Sequence, residues 1–274
     1  MEGLYYMEDI QMYYEENLKG KTQDQIMIEI EQLKKEMDDL KYFCERNQGN
    51  RSIDMPEIIN KIKKTRECLK LAKQAYVDAG GVYILSEMTD EERRYIITPF
   101  GEKNDFVYCP SKDEKKALYF DDNIEHISSI EYTTKSILSN RNTGCGVNLT
   151  NGLEAYRIVD RYELIDDEFK TSKVKEDFIL YNDKDNTPYT KEEFLKELKE
   201  LYIGEWLTYY TPGMFNFIVC DGSSWGLRIG FNNNQNYIAF HGDNFWPYNF
   251  DDFLKLINKN HSKPQIVVNN KLLR

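Results

Sequence analysis

Between residues 22 and 46 apolar side chains return at spacings of four and three: Ile26, Ile30, Leu33, Met37, Leu40 and Cys44. That spacing is the a/d seam of a coiled-coil-like helix. Thr22 with Gln25 supplies a capping box at its start. The turn-forming stretch Asn47-Gln-Gly-Asn-Arg-Ser52 follows, and Asp54 with Pro56 then opens a second helix with a cap and an early-turn proline. In that helix Ile58, Ile62, Thr65, Leu69, Ala72, Tyr76 and Ala79 repeat the spacing until Gly80-Gly81 offers a left-handed stop. Two matching stripes joined by a short polar loop predict an antiparallel helical hairpin with arms on the order of 35 Å long. With the turn centred near Gly49-Asn50, Cys44 faces the start of the second arm and Cys68 lies roughly 16 Å further along, so the two cannot form a disulfide.

From about 82 to 180 the segments shorten. Gly81–Leu85, Arg94–Thr98, Phe106–Cys109, Ala117–Phe120 and Ile127–Thr133 are rich in β-branched and aromatic residues and are broken by Gly, Pro, Asn and Asp, so they read as strands of an antiparallel meander. Asn140–Gly152 reads as a long loop and Ala155–Val159 as a further strand or short helix. Near 181–190 the turn-rich Tyr-Asn-Asp-Lys-Asp-Asn-Thr-Pro precedes a second capping box, Thr190 with Glu193, and a helix carrying Phe194, Leu195, Leu198 and Leu201. Beyond it Phe215, Phe217 and Val219 alternate, Asp221-Gly222 turns the chain, and Trp225, Leu227, Ile229 and Phe231 alternate again, a hairpin pattern. Tyr237–Phe240 reads as the next strand, and Asn249 as the cap of a helix carrying Phe250, Phe253, Leu254 and Ile257. The expected class is α+β in three regions: a helical hairpin (1–81), a β-rich middle (82–186) and a C-terminal α+β module (187–274).

Composition adds constraints rather than elements. The 274 residues carry 47 acids against 36 Lys plus Arg, a formal charge of −11, which repels phosphate backbones and anionic lipid and argues against direct nucleic-acid or membrane binding. Five scattered cysteines, with no C-x-x-C pair and no histidine at zinc-ligand spacing, fit a reducing compartment and no structural metal. The N-terminal stretch carries acids where a secretory signal carries bases, and no apolar run approaches the roughly 18 residues a membrane span needs. The expectation is a cytoplasmic protein, with the Asn148-Leu149-Thr150 sequon a chance occurrence.

The run Asp221-Gly-Ser-Ser-Trp225-Gly-Leu227-Arg-Ile229, followed by Gly242-Asp-Asn244-Phe-Trp-Pro247-Tyr-Asn-Phe250, resembles a C-terminal module of uncharacterised proteins from Gram-positive bacteria and their mobile elements. The likeness covers Gly204 to Ile257, and Ala72–Gly81 adds a weaker one. It implies a shared fold and no chemistry.

Candidate chemistry fails position by position. Asp183-Lys-Asp185 begins like a calcium loop, yet Pro188 stands where glycine is required and Phe194 where the bidentate glutamate is required. Asn142-Thr-Gly-Cys-Gly146 looks like an anion nest but lacks the Lys-Ser/Thr of a phosphate loop. Cys145 between two glycines could serve as a nucleophile if His126 or His241 acted as its base, since a thiol needs such a neighbour to ionise. A three-histidine metal site would need His126, His241 and His261 together. The pairs Asp121-Asp122, Asp166-Asp167-Glu168 and Asp251-Asp252 read as solvated faces and helix starts. Tyr202, Trp206, Tyr209 and Tyr210 read as core and rim, because no basic residues accompany them.

The stretch that best suits recognition combines aromatic and polar residues in one loop: His241, Asp243, Asn244, Trp246 and Tyr248. The leading expectation is therefore a noncatalytic protein-interaction protein without cofactor or metal, engaging a macromolecule with a basic surface. One version is an inhibitor of a bacterial defence system, of the anti-CRISPR kind, carried by a mobile element. The alternatives are a hydrolase-like enzyme using Cys145 or acids with His241, and a structural subunit that self-associates through the helical hairpin.

Overall fold

The computed structural model describes residues 2–50, 52–82, 110–136, 142–165, 168–182, 185–217, 222–232 and 237–258. The chain is α+β and divides into two compact units. Unit 1 comprises Met1–Glu87 together with Phe245–Asn249, and unit 2 comprises Met88–Asn244 together with Phe250–Arg274.

Unit 1 is built on α1 (Glu2–Asn17), α2 (Gln23–Arg46) and α3 (Met55–Asp78). Helix α2 begins at the expected capping box: Thr22 Oγ1 accepts from the Gln25 N–H at 3.4 Å, and the Gln25 carboxamide accepts from the Thr22 N–H at 3.0 Å. Asp54 caps α3 by accepting from the Glu57 N–H at 3.2 Å. At its other end the Gly80 and Gly81 N–H groups donate to Val77 O and Tyr76 O, with Gly80 at φ +85°, the paired bonds of a Schellman stop. The two seams close on each other: Ile26, Ile30, Leu33, Met37 and Cys44 are buried with Ile62, Cys68, Leu69, Ala72 and Ala75 in one core. Each buried Ile, Leu or Met side chain contributes about 1.5–3 kcal/mol. Cys44 and Cys68 are both free thiols, as the spacing predicts.

Helix α1 extends the two-helix expectation to three helices. Its apolar residues lack a clean three-four period, and packing supplies what periodicity does not. Tyr13 and Tyr14 lie against the core, and the Tyr13 hydroxyl donates to the Glu29 carboxylate at 2.6 Å. Leu33 and Leu69, each 6% exposed, lie inside unit 1, so a charge placed there reports on folding rather than association.

Unit 2 is a seven-stranded sheet with α4 (Pro110–Asp122), α5 (Lys191–Glu200) and α6 (Phe250–Asn258). The strands are β1 (Ile127–Ser136), β2 (Asn142–Asn148), β3 (Glu154–Ile165), β4 (Glu168–Phe178), β5 (Tyr209–Tyr210), β6 (Ser223–Phe231) and β7 (Tyr237–Asp243), in the order β4-β3-β2-β1-β6-β7-β5. Strands β1 to β4 form an antiparallel meander in which Ile127–Thr133 is an expected strand and Ala155–Val159 takes the strand option, while β2 and β4 are not among the expected strands; β5 joins β7 in parallel. Because β1 pairs with β6, residues from the expected middle and C-terminal regions share this one sheet.

On one face Ile130, Tyr132, Val147, Leu227, Ile229 and Phe240 are buried. Tyr132 meets Phe250 and Phe253 of α6 edge-on at 5.8 and 6.3 Å, and Phe231 meets Tyr119 of α4 at 5.6 Å. Trp206 packs against Phe240, Phe250 and Phe253 at 5.5–5.8 Å between ring centroids. Helix α5 starts at its expected capping box, where Thr190 accepts from the Glu193 N–H at 3.2 Å.

Three sequence expectations are corrected. Residues 117–120 are not a strand but part of α4, in which Lys116 and Phe120 share the buried side and Lys116 Nζ donates to Trp206 O. A four-residue apolar run cannot distinguish strand from helix, and the helix-forming residues before it decide the matter. The expected loop at 140–152, with its anion nest at 142–146, contains β2, held in ladders on both sides by β1 and β3. Of the first arm expected at 215–219, Phe215 ends a 3₁₀ turn over Pro212–Phe215 closed by Asn216 at φ +59°, residues 218 and 219 lie outside the described residues, and β6 takes β1 and β7 as its neighbours. The strands expected from 83 to 109, the first half of the Asp183-Lys-Asp185 loop, and His261 lie outside the described residues. Among the described residues no helix is long and apolar enough to cross a membrane.

Candidate functional site: the open face of the sheet

The five loop residues do not form one surface. His241, Asp243 and Asn244 belong to unit 2, whereas Trp246 and Tyr248 belong to unit 1. In unit 1 the Gln48 carboxamide bonds both the N–H and the carbonyl of Trp246, at 3.2 and 2.5 Å. The Tyr248 N–H donates to Glu45 at 3.3 Å, and Arg66 donates to the Tyr248 hydroxyl at 2.8 Å. Glu45 and Arg66 are 3% and 4% exposed, so buried charges on α2 and α3 hold this segment along the helices. The sequence carries a signal for this: Arg66 interrupts the buried stripe between Ile62 and Leu69.

In unit 2 Asn244, at φ +59°, closes β7 against β6. Its side-chain oxygen accepts from the Ser223 N–H and its own N–H donates to Ser223 O, both at 2.9 Å. The carboxamide fills the space over Gly222, where a Cβ would stand 1.6 Å from it. Asn244 therefore has a structural role, and Asp243 is exposed at the strand end.

His241 points away from the helices. Its register partner Gly226 is also that of Thr133, and a Cβ on Gly226 would lie 3.2 Å from His241 Nδ1 and 3.3 Å from Thr133 Oγ1. The imidazole covers the glycine, with the Tyr209 ring 5.9 Å away. Burial holds the His241 pKa below the usual histidine range and raises that of Tyr209. Cys145 sits on the other side. It is register partner to Tyr132, faces the helices and is 7% exposed. Strand order places three spacings of about 4.8 Å between it and the neighbourhood of His241, with the sheet between them. His126 precedes β1 by a span of about 20 Å from the level of Cys145. Neither histidine can take the proton of this thiol, and the nucleophile–base pair considered from sequence is not assembled. Among the described residues no group of three metal-ligating side chains comes together.

The face that carries His241 is built in the same way along its length. Tyr156 is register partner to Gly146 and lies so flat that a Cβ there would be 2.5 Å from its ring. Lys175 Nζ sits over the outer side of that ring at 4.2 Å, and Arg228 sits over Tyr237 at 4.0 Å. Burial, then the nearby Glu131 carboxylate, raises the Tyr156 pKa. Ser129 covers Gly230. Glycine inside a strand forfeits packing, so glycines under covering side chains mark a face built to lie flat. The rings present cations outward, not bare π-surfaces, which leaves no stacking platform for bases or sugars.

Glu131 and Arg228 are direct register partners on β1 and β6, and both are exposed. Arg228 leans over Tyr237 on β7, while Glu131 acts on Tyr156 on the opposite side. The two charges diverge instead of pairing. On this face Lys135, Lys173, Lys175 and Arg228 are interspersed with Glu131, Glu154, Asp177 and Asp243, and Asp160 is the register partner of Lys173, in a chain whose total is −11. Alternating glycines at 144 and 146 and at 226 and 230 were the sequence signal for this face, legible only once the strands are aligned.

Comparison with protein-family models, curated proteins and solved structures gave no match, and the site is read from its own geometry.

Proposed function

We propose that this chain is a noncatalytic protein-interaction protein whose contact surface is the open face of the unit 2 sheet. The observation that carries this reading is the set of strand glycines covered by Tyr156, His241 and Ser129, with Arg228, Lys175 and Glu131 exposed on the same face. A flat polar surface with displayed charges of both signs supports specific docking through electrostatic complementarity. The narrower form, an inhibitor of a bacterial defence system meeting a basic groove, draws on the net charge of −11 and predicts binding that weakens steeply with salt.

The test is affinity capture from bacterial lysate with wild-type protein, with Arg228→Glu, and with Lys19→Glu, an exposed lysine of unit 1, as control. A partner retained by the control and lost with Arg228→Glu is the expected result. Equal capture by all three proteins would overturn the assignment of this face.

A further inference from the structure

We propose that the occupant of the open sheet face is a second copy of this chain, packed face to face about a two-fold axis. The proposal rests on the reading that this face is the contact surface. Three observations select a like copy over other partners. Charges of both signs are interspersed on the face, with one acid in excess when Asp160, the register partner of Lys173, is counted, so two copies, each strongly acidic overall, can approach there with less repulsion than a uniformly acidic surface would give.

The face is also self-complementary. In a two-fold contact every residue pair occurs twice, so Glu131 of one copy can meet Arg228 of the other and the reverse. Adjacent opposite charges that diverge within one chain are the arrangement that such an exchange requires.

The third observation is size. Six strands at about 4.8 Å and seven residues at about 3.3 Å give a footprint on the order of 650 Å² per copy. Doubled, this reaches the lower end of specific interfaces, roughly 1,200 Å². A dimer of modest affinity follows, held mainly by polar contacts and sensitive to salt.

Sedimentation velocity across a concentration series tests this with the full chain. Wild type is expected to dimerise, and the dimer is expected to weaken at least tenfold between low and high sodium chloride. Arg228→Glu alone and Glu131→Arg alone should each weaken it at least tenfold. The double variant Glu131→Arg/Arg228→Glu should return to near wild-type affinity, because the exchange restores both pairs. A wild type that stays monomeric at several hundred micromolar, or single variants without effect, or a double variant no better than the singles, would overturn the proposal. Circular dichroism checks that each variant folds. Should one not fold, hydroxyl-radical footprinting of wild type at low and high concentration decides, since Tyr156 and Tyr237 must be protected in the dimer. A monomeric wild type that captures another protein through Arg228 would sink this inference and leave the assignment of the face standing. A monomer with no Arg228-dependent partner would remove both.

Discussion

Gly204 lies in the short 3₁₀ turn Ile203–Glu205 beneath α4. A Cβ added there would stand 2.8 Å from Ala117 Cα, 2.8 Å from Phe120 Cβ and 3.1 Å from Ala117 O, where ordinary contact begins at 3.4 Å. Two of these three neighbours are helix backbone, so no rotamer change relieves the clash and α4 itself must shift by more than half an ångström. Overpacking of this kind costs about 1–3 kcal/mol. Gly213 offers the matched control: it lies in the next 3₁₀ turn, has no atom within 4 Å of an added Cβ, and has no positive φ. There the same substitution only restricts the unfolded chain and should stabilise by about 0.4–1 kcal/mol. The two variants should therefore differ by roughly 2–3 kcal/mol. With a urea m-value of about 2 kcal/mol/M, their midpoints separate by about 1 M. Urea unfolding followed by tryptophan fluorescence reads this in unit 2 because Trp206 is 1% exposed. Equal midpoints for Gly204→Ala and Gly213→Ala would refute both the helical assignment of residues 110–122 and the packing of α4 on the turn.

Two further outcomes are expected. His241 has a folded pKa below its unfolded value, so between the two the unfolded state binds the extra proton; stability should fall as pH drops through and below about 6.5, and His241→Asn should flatten that slope in thermal melts from pH 7.5 to 5. Tyr248→Phe removes the hydroxyl that accepts from buried Arg66 and should cost unit 1 about 1.5–3 kcal/mol in chemical denaturation, whereas an unchanged midpoint would mean that this bond holds nothing in place.

The capped helices of unit 1 were legible because every signal there is local. Thr22 with Gln25, Asp54 with Pro56, and Gly80-Gly81 act within one turn of the helix end they define, and the stripes between them need only a 3.6-residue period. The capping box at Thr190 was legible for the same reason. The α+β class, and strands β1, β6 and β7, followed from alternation and turn residues.

Other features were settled only by partners distant in the chain. Residues 142–148 read as a loop because Gly144 and Gly146 lower strand propensity; they form β2 because β1 and β3 satisfy its backbone on both sides and Tyr156 covers Gly146. Residues 117–120 read as a strand until burial of Lys116 and Phe120 shows the helical side they share. The stretch from His241 to Tyr248, continuous in sequence, divides between two units, because its middle is bonded by Gln48, Glu45 and Arg66 roughly 180–200 residues away in the chain, a pairing no local rule contains. What the sequence determined alone is where helices start and stop and which stripes they bury. Which strands lie side by side, and therefore which charges and rings share a face, was decided by the tertiary structure, because register turns residues 131, 156 and 228 into neighbours.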